Sequence, residues 1–523
     1  MRFIFVAAFL ILPAFAVAQD DTAQAVELTA EGAGLLKSPK EGAFEHDFWK
    51  GTDRREVIAA LGGLPVNSES PAVQGLIRKL LLSEASADVM GPLPPEDFNT
   101  GHDLLALRLN ALLRGGFYDD ALALFSSLEP DTLSEHHRQA GLYAMLGSGQ
   151  KSLACVEVKA VEKAQMNLPF WADLRAYCDY TIDRNEEAKQ ALTETNHDIL
   201  RAAAFNDDFR FNYTPDAYAA LSDLERLVLI ADQKIRLGDL SWAAAREIPA
   251  RYIGDLMHLE DTPNLTRLNL QLRGYQLGLV SLEQLSRFYK ESNFDHPLLT
   301  LFKSLTKDRD SVDKAAMYAT LSEYAQIYGA VVYVPFLPFI DEGAPVTSPD
   351  DLHTLLHAYY RAGQPVPAFV IYAIAVSEPS APLLYAAAYV AQTQKSYKNT
   401  QKIYESLKAL PAQDFFANNV IENLDKGAAD VDNTPNVYEK DFVLTSHKPY
   451  VMPTWFLWNR LKDTAQNKIL AETVLLSVLT LQGQNMAGVY PVVLIDVVDA
   501  LNTVGLTHVS EDLALESLIG DKN

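Results

Sequence analysis

One spacing recurs along this chain and restricts what it can fold into. Gly116 precedes Ala121 by five residues, Gly149 precedes Ala154, and Asp183 precedes Ala188; Gly238 before Ala243 and Gly363 before Ala368 repeat the interval. A glycine or aspartate tolerates the left-handed backbone that ends a helix. A small residue about one turn into the following helix lets two helices approach closely. The first three copies lie in tandem, Gly116 and Gly149 being 33 residues apart and Gly149 and Asp183 34 apart. This is a helix–turn–helix period. The flanks agree: Leu104, Leu105, Leu109, Leu112 and Leu113 fall at helical spacing before the first turn, and Leu122, Phe125 and Leu128 follow it. Pro130-Asp131 then marks a stop and a new start.

With this period, with Ala121, Ala154 and Ala188 at the crossing positions and with Phe125 four residues beyond the first alanine, the stretch 100–195 resembles the tetratricopeptide repeat superfamily. Isolated echoes occur at Gly238, Gly363 and Gly505 with Ser510. The large first-helix residues of that family are poorly kept, and the interval from Asp183 to Gly238 is irregular. The resemblance implies an all-α fold, a helical-hairpin repeat array of the α-solenoid kind, followed here by a smaller C-terminal helical block.

The N-terminus reads as an export signal. Arg2 precedes an apolar stretch over 3–15, and Ala16-Val17-Ala18 gives a small-x-small cleavage pattern before Gln19. That stretch is shorter than the about 20 residues of a membrane-spanning helix, and no cysteine stands near position 18 for lipid attachment. The expected organisation is a signal peptide over 1–18, a mobile leader without periodicity over 19–45, helical repeats over 46–260, a second helical region over 261–425, a linker over 426–450 and the C-terminal helical block over 451–523. No later apolar run is long enough to span a bilayer. The segment 331–339 is β-rich in composition, but Pro335 and Pro338 suit an extended buried connection better than a central strand. The expected location is the periplasm for a Gram-negative source and the extracellular space otherwise.

A formal charge of −24 makes the chain a poor match for nucleic acid, whose affinity rests on basic contacts to phosphate. The leading expectation is a non-enzymatic scaffold that binds a protein or peptide partner, with no cofactor. The alternative is a cell-wall enzyme or polymer-binding protein resembling the helical ring of lytic transglycosylases. That family needs a Glu-Ser with a long segment after it, whereas Glu516-Ser517 lies close to the last residue, Asn523.

Other chemistry-bearing patterns are incomplete. His353 and His357 can share a helix face at zinc-binding spacing, but Thr354 stands where a zinc protease has its glutamate. Glu135-His136-His137 is weaker still, because neighbouring helical residues point in different directions. Asp430 to Thr434 opens like a calcium loop, yet Pro435 occupies the position that needs glycine. Gly147 to Ser152 is a partial phosphate loop that follows a helix instead of a strand. Asp207-Asp208 and Asp350-Asp351 read as ordinary surface or helix-start carboxylates.

The two cysteines, Cys155 and Cys178, are expected to pair. Export permits oxidation. A turn near 166–168, ahead of Pro169, would set the two residues equally far from the bend of an antiparallel hairpin and so at one height. The other reading is a pair of buried free thiols packed as small apolar groups. Mass spectrometry of the exported protein is expected to find a chain that begins at Gln19; a mature chain that retains Arg2 would make the apolar stretch an anchor.

Overall fold

The computed structural model describes residues 30–161, 168–195, 197–341, 348–377, 453–483 and 489–519, together with Leu383, Ala386, Ala387, Val390 and Met486. The signal peptide, the turn ahead of Pro169, the linker and the Asp430 to Thr434 segment lie outside these residues. The fold is all-α: 24 α-helices stand among the described residues against two strands of two residues each. Those strands, Phe211–Asn212 and Ile235–Arg236, pair in parallel, Phe211 opposite Ile235 and Asn212 opposite Arg236.

One turn chemistry builds most of the helical pairs. Helix Leu104–Gly115 ends at Gly116 with φ +78°. The Gly116 N–H donates to the Leu113 carbonyl at 3.1 Å and the Phe117 N–H to the Leu112 carbonyl at 2.9 Å. These paired bonds satisfy carbonyls that a helix end otherwise leaves open. The same pattern recurs at Gly149 between helices Glu135–Gly147 and Lys151–Ala160, at Gly363 between Pro349–Arg361 and Ala368–Val376, and at Gly505 between Pro491–Thr503 and Thr507–Ile519. It is also present at Gly278, between Asn264–Gln276 and Leu282–Glu291, and at Lys468, between Trp455–Gln466 and Leu470–Leu481.

The small residue after the turn does what its spacing requires in most of these hairpins. Ala121 and Ala154 are fully buried and Ala188 nearly so; Ser510, five residues after Gly505, is also buried. Three of the spacings behave differently. Asp183 closes helix Phe170–Asp183, and Arg184 takes the left-handed position with φ +53°; Asn185 then caps helix Glu186–Glu194 by accepting the Glu187 N–H at 2.8 Å. Gly238 follows the strand Ile235–Arg236, not a helix, and Ala243 is exposed while Ala245 is buried. Its loop is fixed from elsewhere: the Thr266 hydroxyl donates to the Gly238 carbonyl at 3.0 Å and accepts the Leu240 N–H at 2.8 Å. At Gly363 the turn is kept, but Ala368 is exposed and Val366 is the buried side chain.

Successive hairpins pack through aromatic side chains seated on glycines. An added Cβ on Gly147 would stand 2.3 Å from the Tyr118 ring, and one on Gly141 would stand 2.6 Å from the Phe125 ring. Tyr118 and Phe125 are two turns apart on helix Tyr118–Ser126 and lock it against helix Glu135–Gly147. In the second and third hairpins, Cys155 and Cys178 are joined by a disulfide with their Cα atoms 5.4 Å apart. Both cysteines are fully buried.

The segment 331–339 is buried as its composition suggests, but it is not extended. It forms the 3₁₀ turns Gly329–Val332 and Val334–Phe339. Proline's fixed φ suits such turns, and the bonds from Phe336 N–H to Tyr333 and from Ile340 N–H to Leu337 bypass both prolines. The described part of the leader, residues 30–45, is docked: Leu35 and Leu36 donate to the Leu82 carbonyl at 2.8 and 3.0 Å. Buried Arg108 holds the same corner by donating to the carbonyls of Leu81, Ser83 and Ala33 at 2.7 to 3.0 Å. Two of these acceptors are end carbonyls of helix Pro71–Leu82, where a cation is favoured.

The core forms two apolar clusters. One unites Phe44 to Ala144 with Leu461 to Leu513, so the last helices share a core with the first ones. The other runs from Tyr118 through Val390 and takes in Leu515 and Ile519. Replacing both cysteines with serine is expected to lower the unfolding free energy by about 2–4 kcal/mol, read by urea denaturation. Thiol titration of the unreduced, denatured native chain should find no reactive thiol; two thiols per chain would overturn the bridge.

Candidate functional site

Two buried carboxylates organise the polar interior. Asp255 lies on helix Ala250–Leu256 with no exposed surface. Arg226 donates to its Oδ2 at 2.8 Å, the Tyr218 hydroxyl to the same oxygen at 2.8 Å, and the Tyr118 hydroxyl to Oδ1. Burial pushes Asp255 upward, and Arg226 with the two tyrosines opposes that shift. The helix can reach this position only because glycine meets glycine: a Cβ on Gly254 would stand 2.9 Å from the Gly116 carbonyl oxygen.

Glu516 is the second centre. It accepts the Ser70 hydroxyl, the Ala72 N–H at 2.9 Å and the Tyr360 hydroxyl at 3.0 Å. It therefore ties the C-terminal helix Thr507–Ile519 to the N-terminus of Pro71–Leu82 and to Pro349–Arg361. Two neighbouring contacts reinforce the junction: Arg361 donates to the Glu69 carbonyl at 2.9 Å, and Arg273 pairs with the Glu69 carboxylate at 2.5 Å. Nearby in the same block, Arg460 bridges Glu472 and Glu56.

The residues singled out by sequence patterns do not come together. His357 is buried, and its Nε2 accepts from Arg361 Nε at 3.1 Å, so that nitrogen is engaged in packing. No group of three or more His, Cys, Asp or Glu side chains among the described residues is arranged to hold a metal ion. Lys151 of the partial phosphate loop instead pairs with Asp232 at 2.8 Å and lies over the Tyr177 ring. Asp351 accepts the Ser322 hydroxyl at 2.7 Å in the first turn of its helix, and Asp207 and Asp208 are exposed. Ser134, His137 and Asp103 are in contact, but not as a nucleophile relay. His137 Nδ1 accepts the Ser134 backbone N–H at 3.0 Å, so a neutral ring carries its proton on Nε2 and gives it to Asp103 at 2.8 Å. Ser134 Oγ accepts the His137 backbone N–H, and Asp103 accepts that of Ala106. The trio caps two helices.

Where the turns of the first two hairpins face the Gly278 turn, the chain forms an open cavity of about 450 Å³. Phe117, Met257, Leu279 and Val280 give it apolar walls, and Arg78, Asp119, Asp120 and Arg361 border it. Arg78 grips Asp120 through both carboxylate oxygens. His258 stands at the rim; the protein around it displaces water and lowers its pKa, with Asp119 opposing. Neither centre nor cavity has a local sequence signature. Tyr118 and Asp255 are 137 residues apart and Ser70 and Glu516 446 apart, so only the fold brings them together. No known protein family, curated protein or solved structure matches the chain.

Burial holds Glu516 up at about 7 from an ordinary 4.5, against the opposing pull of Ser70, Ala72, Arg361 and Tyr360. The folded protein therefore keeps a proton that the unfolded chain loses. Its stabilising effect is complete below about 4.5 and disappears as pH rises through about 7. At 1.36 kcal/mol per unit the effect is at most about 3 kcal/mol. Asp512, pushed up to about 6 by burial, slopes the same way. The variant E516Q should show a shallower loss of stability between pH 5 and pH 7.5 in urea titrations; an unchanged slope would remove Glu516 as its source.

Proposed function

We propose that this chain is an exported, non-enzymatic helical-repeat scaffold that holds a protein or peptide partner in the cell envelope. The observation that carries the reading is the tandem set of three hairpins over residues 104–194, the first two turned at the paired-bond glycines Gly116 and Gly149 and the third one residue later than its spacing, at Arg184. Hairpins stacked in this way resemble the tetratricopeptide superfamily, whose superhelical arrays present an extended concave surface to a polypeptide. Two further features support the reading. The buried titratable groups Asp255, Glu516, Asp103 and His137 each hydrogen-bond to a residue of another helix or its cap. A disulfide between the two cysteines suits an oxidising compartment, as does the N-terminal signal pattern; that compartment is the periplasm if the source is Gram-negative.

The hairpins leave apolar side chains in solvent: Leu153, Val156 and Ile182 are 41%, 61% and 50% exposed. A photoreactive residue placed at each of these positions, with irradiation of intact envelopes, is expected to give a discrete protein adduct at one or more of them. The absence of adducts at all three, together with clearing of a peptidoglycan zymogram by the purified chain, would replace the scaffold with the cell-wall enzyme.

A further inference from the structure

The cavity at the hairpin turns is bordered by two charged side chains that are not closed into ion pairs, Asp119, whose field acts on His258, and Arg361, whose field acts on Glu516. Its volume of about 450 Å³ lies within the roughly 300–1,000 Å³ of small-ligand sites. Arg78 and Asp120 neutralise each other across one wall. Two other charges are left without an opposite partner within ion-pair distance among the described residues. Asp119 accepts only the Ser148 hydroxyl, at 2.9 Å. Arg361 donates to two neutral acceptors, His357 Nε2 at 3.1 Å and the Glu69 carbonyl at 2.9 Å. The two come from different parts of the fold, Asp119 from the start of helix Tyr118–Ser126 and Arg361 from the end of Pro349–Arg361. The apolar side chains of Met257 and Val280 line the same cavity.

The walls are fixed before any ligand arrives. Gly278 has φ +75°, and an added Cβ would stand 2.9 Å from the Gln74 amide oxygen. Tyr275 donates to the Arg361 carbonyl at 3.2 Å, which joins the two helices that flank this side. Little ordering is therefore left for binding to impose. One anion and one cation that are not closed into ion pairs, beside an apolar surface, match a molecule that carries an ammonium, a carboxylate and an apolar side chain.

We propose that this cavity binds a small zwitterion, an α-amino acid or a dipeptide, with its ammonium toward Asp119, its carboxylate toward Arg361 and an apolar side chain against Met257 and Val280. This site is separate from the exposed hairpin faces of the scaffold reading, and either can fail without the other. The full mature chain is titrated calorimetrically with leucine, with alanyl-leucine, and with alanyl-leucine acetylated at its amine or amidated at its carboxyl. Saturable binding of leucine or alanyl-leucine is expected, and the stronger of the two identifies the source. Each capped form should bind at least about tenfold more weakly, the size of one lost charge-assisted hydrogen bond. The variant D119N should bind the acetylated and free dipeptides alike while still rejecting the amidated one. Equal binding of the free and capped forms, or no saturable heat from any zwitterion at millimolar concentration, would overturn the proposal.

Discussion

The fold depends on how each helical pair closes its turn. A helix end exposes carbonyls with no partner, and in a mostly buried array these would carry a desolvation penalty of about 1–3 kcal/mol each. The left-handed residue at Gly116, Gly149, Gly278, Gly363, Lys468 or Gly505 folds two N–H groups back onto them. The turn is therefore short and satisfied within itself, and the second helix leaves at an angle that places a small residue at the crossing. Ala121 and Ala154 come to full burial for this reason. The disulfide adds a covalent tie between the second and third hairpins, joining Cys155 and Cys178 with their Cα atoms 5.4 Å apart.

Closed turns fix each hairpin but not the relation between hairpins. That relation rests on two kinds of contact. Glycines on one helix receive aromatic rings from the next, as Gly147 and Gly141 receive Tyr118 and Phe125. Buried charges then join elements far apart in sequence. Removing one partner of such a group leaves a buried polar atom or charge unsatisfied, which is a greater loss than the net worth of the bond. Asp255 and Glu516 thus set register more than they add stability: each accepts from side chains on separate helices, and only one arrangement of those helices supplies all the donors.

The parts legible in the sequence are those governed by short-range rules. The hairpins around Gly116 and Gly149 were readable because the helix-ending residue and the crossing alanine belong to one local motif. The cysteine pair was readable because a hairpin with a nearby turn has simple geometry. Asp183 was assigned one residue early, since Arg184 carries the left-handed turn and Asn185 supplies the cap. Gly238 shows how the same spacing fails: without a helix before it, the glycine has no carbonyls to close. The run 331–339 was read by composition as extended, but composition does not register that proline's φ is equally at home in a 3₁₀ turn. The polar centres and the cavity were not legible, because their parts are separated by up to hundreds of residues.

The C-terminal helices show what this long-range wiring means for the chain as a whole. Helix Leu470–Leu481 packs on Arg54–Gly62 and Pro71–Leu82, and Thr507–Ile519 lies between Pro71–Leu82 and Pro349–Arg361. Their apolar side chains complete the same cluster as Phe48, Leu61 and Leu81. A simple solenoid joins each repeat only to its neighbours, and its ends stay apart. Here Arg460 reaches Glu56 and Glu516 reaches Ser70, so the two ends stabilise one another. The cavity lies beside that junction, with Arg361 contributing to both. A ligand at the proposed site would therefore bear on Arg361, which also helps join the N-terminal and C-terminal helices.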